Sequence, residues 1–91
     1  MKVNDKEVLG VKVDLPNSPP LLLIVGGKGF IMCGFLNVDV AERVGATAAM
    51  VAGVKDFSDV LNAKVKAVTS KAQALGVEPG VGGEEAVSLM A

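Results

Sequence analysis

Two apolar runs joined by a glycine-rich stretch constrain the fold of this chain more than any other feature. The runs are LLLIV at residues 21–25 and FIMCGF at residues 30–35, and GGKG lies between them at residues 26–29. Glycine adopts positive φ angles without strain, so such a stretch readily forms the tight turn of a β-hairpin. The pattern therefore predicts an antiparallel pair of buried strands.

Further strands are predicted on both sides of this hairpin. Residues 11–15 alternate apolar and charged side chains, which is the period of a half-buried strand. The Asn-Asp pair at residues 4–5 is typical of a turn, so residues 1–3 are predicted to form a short first arm. The segment ATAAMV at residues 46–51 lies between two glycines, and we predict a buried strand there.

Four short helices are predicted in the second half of the chain. The first spans residues 39–45, with a capping-box pattern that opens at Asp39 and a glycine at its end. The second is predicted for residues 56–62 and the third, from helical spacing of apolar residues, for 65–75. Glutamates at residues 84–85 suit the first turn of the fourth, where negative charge stabilises the helix dipole.

These elements predict a single α+β domain over residues 1–91. We expect a mixed or antiparallel sheet of about four strands, covered on one face by short helices. Of the 91 residues, 51% are hydrophobic and 21% charged, an apolar share slightly above the usual value for a soluble domain. Part of this apolar surface should be buried against another copy, so we expect a homo-oligomer, with a dimer favoured.

Charge and composition argue against nucleic-acid and membrane partners. The net charge is -1, the 9 basic residues are scattered, and no Trp or Tyr is present to stack on bases. The longest apolar run is far too short to cross a bilayer, and the N-terminal residues lack the apolar core of a signal peptide. A cytoplasmic location is therefore expected.

Several chemistries are closed to this chain because it contains no histidine and one cysteine. Histidine-dependent nucleophilic catalysis and a tetrahedral zinc site of the usual ligands both need residues that are missing. The acidic pairs Asp39–Glu42 and Asp56–Asp59 are better explained as helix-start residues than as cation ligands. We therefore assign no catalytic residue, no metal site and no cofactor.

Cys33 is the first candidate for a functional site. Apolar neighbours favour structural burial of this thiol, because buried cysteines in such surroundings are inert. Strand alternation places Ile31 and Cys33 on one face of the sheet. The alternative is a thiol that lines a pocket at the strand end, where Gly34 removes side-chain cover, with Lys28 as the nearest basic residue in sequence.

A second candidate is the glycine-rich loop before the last helix, with Gly80, Gly82 and Gly83. Backbone N–H groups at a helix start can bind an anion, so a small anionic ligand is conceivable there. The two glutamates that follow would repel an anion, and a flexible connecting loop is the favoured interpretation.

Three segments together resemble the YunC-like family, a small bacterial and archaeal domain of unknown function. They are KGFIMCGFLNVDVAERVG, AGVKDFSDVLNAKV and ALGVEPGVGGEEAVSLM, so the resemblance covers most of the chain. Phe30 stands where relatives often carry tyrosine, and Glu84 where they tend to carry a basic residue. The resemblance implies a small α+β domain and a strand at residues 46–51, but no activity and no catalytic residue.

The sequence thus leaves two hypotheses for function. The favoured one is a non-catalytic, homo-oligomeric domain with a binding or regulatory role. The alternative is an enzyme or redox sensor that uses Cys33 as a reactive thiol.

Overall fold

The predicted hairpin forms the middle of a mixed five-stranded sheet. The computed structural model describes all residues from Met1 to Ala91. The strands are β1 (Lys2–Val3), β2 (Lys6–Glu7), β3 (Leu9–Val13), β4 (Leu21–Val25), β5 (Phe30–Met32), β6 (Ala48–Met50) and β7 (Ala67–Val68), and the helices are α1 (Val38–Arg43), α2 (Phe57–Asn62), α3 (Ser70–Ala74) and α4 (Gly83–Met90).

The strand order in this sheet is β3-β4-β5-β6-β7, and β1 pairs with β2 in a separate two-stranded ribbon. All neighbours run antiparallel except β5 and β6, which are parallel and joined through α1. The predicted α+β class is confirmed. The sheet has one strand more than expected because residues 67–68, predicted as helix, form the edge strand β7.

Helices cover parts of both faces of the sheet. On one face Ile24, Ile31 and Ala49 lie side by side and belong to a buried cluster with residues of α2 and α4. On the other face Met32 and Ala48 pack with residues of α1. The prediction that helices cover one face is therefore wrong, because the helix joining the two parallel strands packs on the opposite face.

Two predicted helix starts are displaced, each by a better cap. Helix α1 begins after Asn37, whose side-chain oxygen accepts hydrogen bonds from the N–H groups of Asp39 and Val40. Asp39 is thus a first-turn residue instead of the cap. Helix α3 begins after Thr69, whose hydroxyl accepts from Ala72 N–H, and this cap separates the helix from the preceding strand.

Close packing explains two of the glycines in the GGKG turn, Gly26 and Gly29. None of these glycines has a positive φ. A Cβ on Gly26 would overlap the carbonyl oxygen of Met90, and the N–H groups of Lys28 and Gly29 donate to that same oxygen at 2.9 and 3.1 Å. The turn therefore stabilises the C-terminal end of α4, because it leaves room for the Met90 carbonyl and donates two N–H groups to it.

No helix combines the length and the apolar composition needed to span a bilayer.

Glu42 joins α1 to α3, and this contact predicts a pH dependence of stability. Its carboxylate accepts the Ser70 hydroxyl at 2.6 Å and the Ser70 N–H at 2.9 Å. These two bonds hold the pKa of Glu42 below its ordinary value, and the bond from the Ser70 hydroxyl has the larger effect. The stabilisation is therefore complete above the ordinary pKa and is lost as the pH falls through the lowered one.

We expect Glu42→Gln to lower the Tm at neutral pH because the amide oxygen is a weaker acceptor than a carboxylate. The difference from the wild type should shrink as the pH falls below about 4.3, the ordinary pKa of glutamate. Thermal melts at a series of pH values measure this. A difference that stays constant into strong acid would show that the charge on Glu42 contributes nothing.

Candidate functional site

A groove of about 250 Å³ opens at one edge of the sheet, between three loops. Its walls come from residues 19–20, 33–35 and 53–55. Strands β5 and β6 are parallel, so the loops that follow them meet at the same edge, and the loop before antiparallel β4 reaches this edge too. The carboxyl ends of parallel strands are a common place for ligand sites in α/β sheets.

Cys33 is both buried and part of the groove wall. The residue is 3% exposed, and it packs in the same cluster as Ile31, as strand alternation predicts. Burial and pocket lining are alternatives in the sequence, and the structure shows both for this residue. The thiol therefore borders the groove without projecting from the wall.

Strand β5 ends before Cys33 because the Cys33 carbonyl bonds within the following turn instead of to β4. The Cys33 N–H still donates to the Leu22 carbonyl at 3.1 Å, as in a continued ladder. Its carbonyl instead accepts from Leu36 N–H at 3.2 Å, within the turn that follows. The Leu22 N–H, which would pair with that carbonyl in a continued ladder, donates instead to the Cys33 sulfur at 3.3 Å. The thiol thus satisfies a buried backbone donor.

This role predicts that Cys33→Ala destabilises the protein. The substitution removes packing atoms and leaves the Leu22 N–H unpaired, which together should cost about 2 kcal/mol in the free energy of unfolding. Cys33→Ser should cost less because its hydroxyl can still accept that N–H. Urea unfolding measures both values. Equal losses for alanine and serine would contradict the hydrogen-bonding role of the side chain.

The remaining walls are mostly apolar, with one cation. Phe35 is 50% exposed at the tip of its turn, while Val54 on the opposite loop is buried. Gly53 has φ +72, a conformation that glycine adopts without strain. Lys55 is exposed at the groove, and sequence analysis did not select it.

The Lys55 ammonium has no carboxylate partner, since the one ion pair of the structure joins the N-terminus to Glu7. The two nearby acids are engaged with the backbone. Asp56 accepts from Asp59 N–H at 2.8 Å, and Asp59 accepts from Lys55 N–H at 3.0 Å. The groove is thus bordered by a free positive charge and by no acidic side chain.

The structure does not bring the other sequence candidates to this groove. Lys28 lies exposed in the turn at the opposite end of β5 from Cys33. Gly80 and Gly83 donate their N–H groups to the carbonyls of Val65 and Ala63, at 2.8 and 2.7 Å. Gly82 lies opposite Lys64 in a β-bridge. The glycine-rich loop is therefore held by the segment after α2, and two of its candidate anion donors are already bonded.

A second, more open hollow of about 490 Å³ adjoins the groove. It is lined by residues 34–39 together with Met50 and Ala67, so the turn carrying Phe35 separates the two. No three side chains among His, Cys, Asp and Glu cluster as metal ligands would. Of the two hollows, the groove beside Cys33 is the more enclosed.

Comparisons with known proteins place the chain in a family. The model of a domain of unknown function, DUF1805, matches residues 32–90. The chain belongs to this family. The matched range of the DUF1805 family includes two of the three groove loops, residues 33–35 and 53–55, whereas residues 19–20 lie outside it.

Two relatives support this kinship and agree with the YunC-like resemblance. The uncharacterized protein YunC of Bacillus subtilis (strain 168) is 34% identical over 85 residues, which covers 88% of this chain and 82% of the relative. A crystal structure of a protein of unknown function, TA1206, from Thermoplasma acidophilum superposes with a TM-score of 0.93 at 37% identity. It covers 100% of this chain and 88% of the other. The likeness to this solved structure thus supports the α+β fold, and the printed names of both relatives give no function.

Proposed function

We propose that the protein is a non-catalytic, homo-oligomeric binding domain whose ligand site is the groove of residues 19–20, 33–35 and 53–55. The observation that carries this is the groove itself, which combines an exposed aromatic ring, a free cation and a buried thiol at the ends of the parallel strands. Convergence of a few polar groups on an apolar concavity is the usual form of a small-molecule site.

NMR titration with a library of small apolar compounds tests this proposal. Binding should shift the backbone signals of residues 33–35 and 53–55 more than those elsewhere. Gly34→Ala should weaken the effect by narrowing the groove, since its Cβ would meet only Ala52 at 4.0 Å and should not disturb the fold. Gly82→Ala is the matched control, because it lies outside the groove. Shifts confined to another surface would contradict the proposal.

The alternative function, a reactive Cys33, has its own test. The sulfur accepts a backbone N–H and is almost fully buried, which supports a structural thiol. Intact-mass measurement after brief treatment with N-ethylmaleimide should therefore find the native protein unmodified. Rapid modification of the native state would favour an enzyme or redox sensor. A single free thiol is compatible with the proposed cytoplasmic location, where thiols stay reduced.

Support for an oligomer comes from an apolar face of the sheet, here named the open face. Its residues are Leu9, Val11 and Val13 of β3 and Val25 of β4, which the strand register places on one side. Leu9 is 61% and Val13 44% exposed. The apolar residues of β3 thus lie where water would contact them in a monomer. We propose that the open face of a second copy packs against it. An apolar face without charged side chains can pair with itself in a two-fold symmetric dimer.

Light scattering of a charged variant tests the assembly. Leu9→Lys places a charge on the open face and should shift a dimer or larger oligomer to the monomer mass. Gln73→Lys adds the same charge at an exposed position of α3 and should leave the mass unchanged. A wild-type protein that scatters as a monomer at micromolar concentration would refute the oligomer.

A further inference from the structure

We infer that the groove binds a small apolar molecule that carries a single carboxylate. This inference rests on the proposed function, because it names the ligand class of the same groove. A volume of about 250 Å³ is below the range of roughly 300–1,000 Å³ typical of drug-sized ligands. The ligand is therefore small.

The charge of the ligand follows from the ionisable groups around the groove. Lys55 is the sole charged residue in the walls, and its ammonium has no carboxylate partner within the protein. The neighbouring acids, Asp56 and Asp59, already accept backbone N–H groups. Both acids keep their negative charge, but neither lines the groove, so the charge that a ligand meets in the walls is that of Lys55, and an anionic ligand would pair with it.

Backbone donors favour the same ligand class. The N–H groups of Gly34, Phe35, Gly53 and Val54 make no hydrogen bond within the chain. They belong to residues 33–35 and 53–55, two of the three segments that line the groove. Carboxylate oxygens accept hydrogen bonds and donate none, so they match walls that offer free donors and a cation.

The apolar part of the ligand is set by the remaining walls. The half-exposed Phe35 ring, the two prolines at residues 19–20 and Val54 present hydrocarbon surface. An aromatic or branched aliphatic group would bury this surface, and an aromatic group could pack against the Phe35 ring. Phenylacetate combines such a group with one carboxylate and serves as the probe.

The experiment compares phenylacetate with phenylacetamide, which has nearly the same shape and no charge. We expect phenylacetate to bind at least about tenfold more tightly in NMR titrations. Lys55→Met should abolish this preference, because it removes the cation and keeps much of the apolar stem. Lys28→Met removes the same charge at the far end of β5 and should keep the preference. Phe35→Ala should weaken both compounds alike.

Each possible result decides the inference. Tighter binding of phenylacetate that depends on Lys55 supports it. Equal binding of acid and amide at residues 33–35 and 53–55 overturns the carboxylate assignment and leaves the binding groove standing. If neither compound shifts these residues, the inference is overturned, and the proposed function fails only if the wider library also leaves the groove unperturbed.

Discussion

Gly83→Ala is expected to destabilise the protein by about 3 kcal/mol or more, enough to unfold much of a marginally stable domain. An added Cβ would overlap the carbonyl oxygen of Val60 and lie 3.0 Å from its carbonyl carbon. Both atoms belong to the backbone of α2, which cannot move aside as a flexible side chain could. The first turn of α4 would therefore separate from α2 and weaken the bond from Gly83 N–H to Ala63, now 2.7 Å.

The neighbouring glycine provides the control for this prediction. Gly82 has φ -65, and its added Cβ would have no atom within 4 Å. Gly82→Ala should thus change the free energy of unfolding by less than about 1 kcal/mol. Circular dichroism during urea unfolding measures both variants. Similar small losses at the two positions would mean that α4 does not pack against α2 as closely as described.

Ile31→Ala is expected to cost about 3–5 kcal/mol, the upper part of the range for a buried isoleucine. Ile31 is fully buried in the central strand, opposite Ile24 on one side and Ala49 on the other. Strands flank it on both sides and helices cover its face, so the surroundings have little freedom to collapse into the cavity.

Two comparisons make this measurement specific. Ile31→Val removes one methyl group and should cost about 0.5–1.5 kcal/mol. Val44→Ala changes a side chain that is 74% exposed and should stay within about 0.5 kcal/mol. Denaturant unfolding of the three variants should give this order. An Ile31→Ala loss near 1 kcal/mol would contradict a close-packed central strand.

Much of the architecture could be predicted because local patterns determine it. The hairpin, the strand within residues 46–51, the Asp56 cap of α2 and the start of α4 each follow from periodicity, glycine placement or capping chemistry. Boundaries failed where a better cap lay nearby, as with Asn37, or where a two-residue strand interrupted a helical pattern. Such short strands depend on pairing with a distant partner, which spacing does not reveal.

The groove could be predicted in part, for a similar reason. The sequence indicates that Cys33 and Gly34 lie at a strand end, where a pocket lined by the thiol is one of two interpretations. It missed Lys55, since residues 33–35 and 53–55 meet through the parallel pairing of β5 and β6. Parallel pairing is a long-range property. The Gly53-Val54-Lys55 loop follows a predicted strand and is a signal for a site at the strand end, but Lys28 is nearer to Cys33 in sequence.

Residues 19–20, 33–35 and 53–55 form the proposed ligand-binding groove of this protein. Its most direct test is a crystal structure of crystals soaked in a mixture of small carboxylic acids and their neutral amides. We expect an ordered compound in the groove, with its carboxylate near the Lys55 ammonium and its apolar part against Phe35. Compounds ordered solely elsewhere, for example beside residues 80–85, or a groove filled by a neighbouring copy, would contradict it.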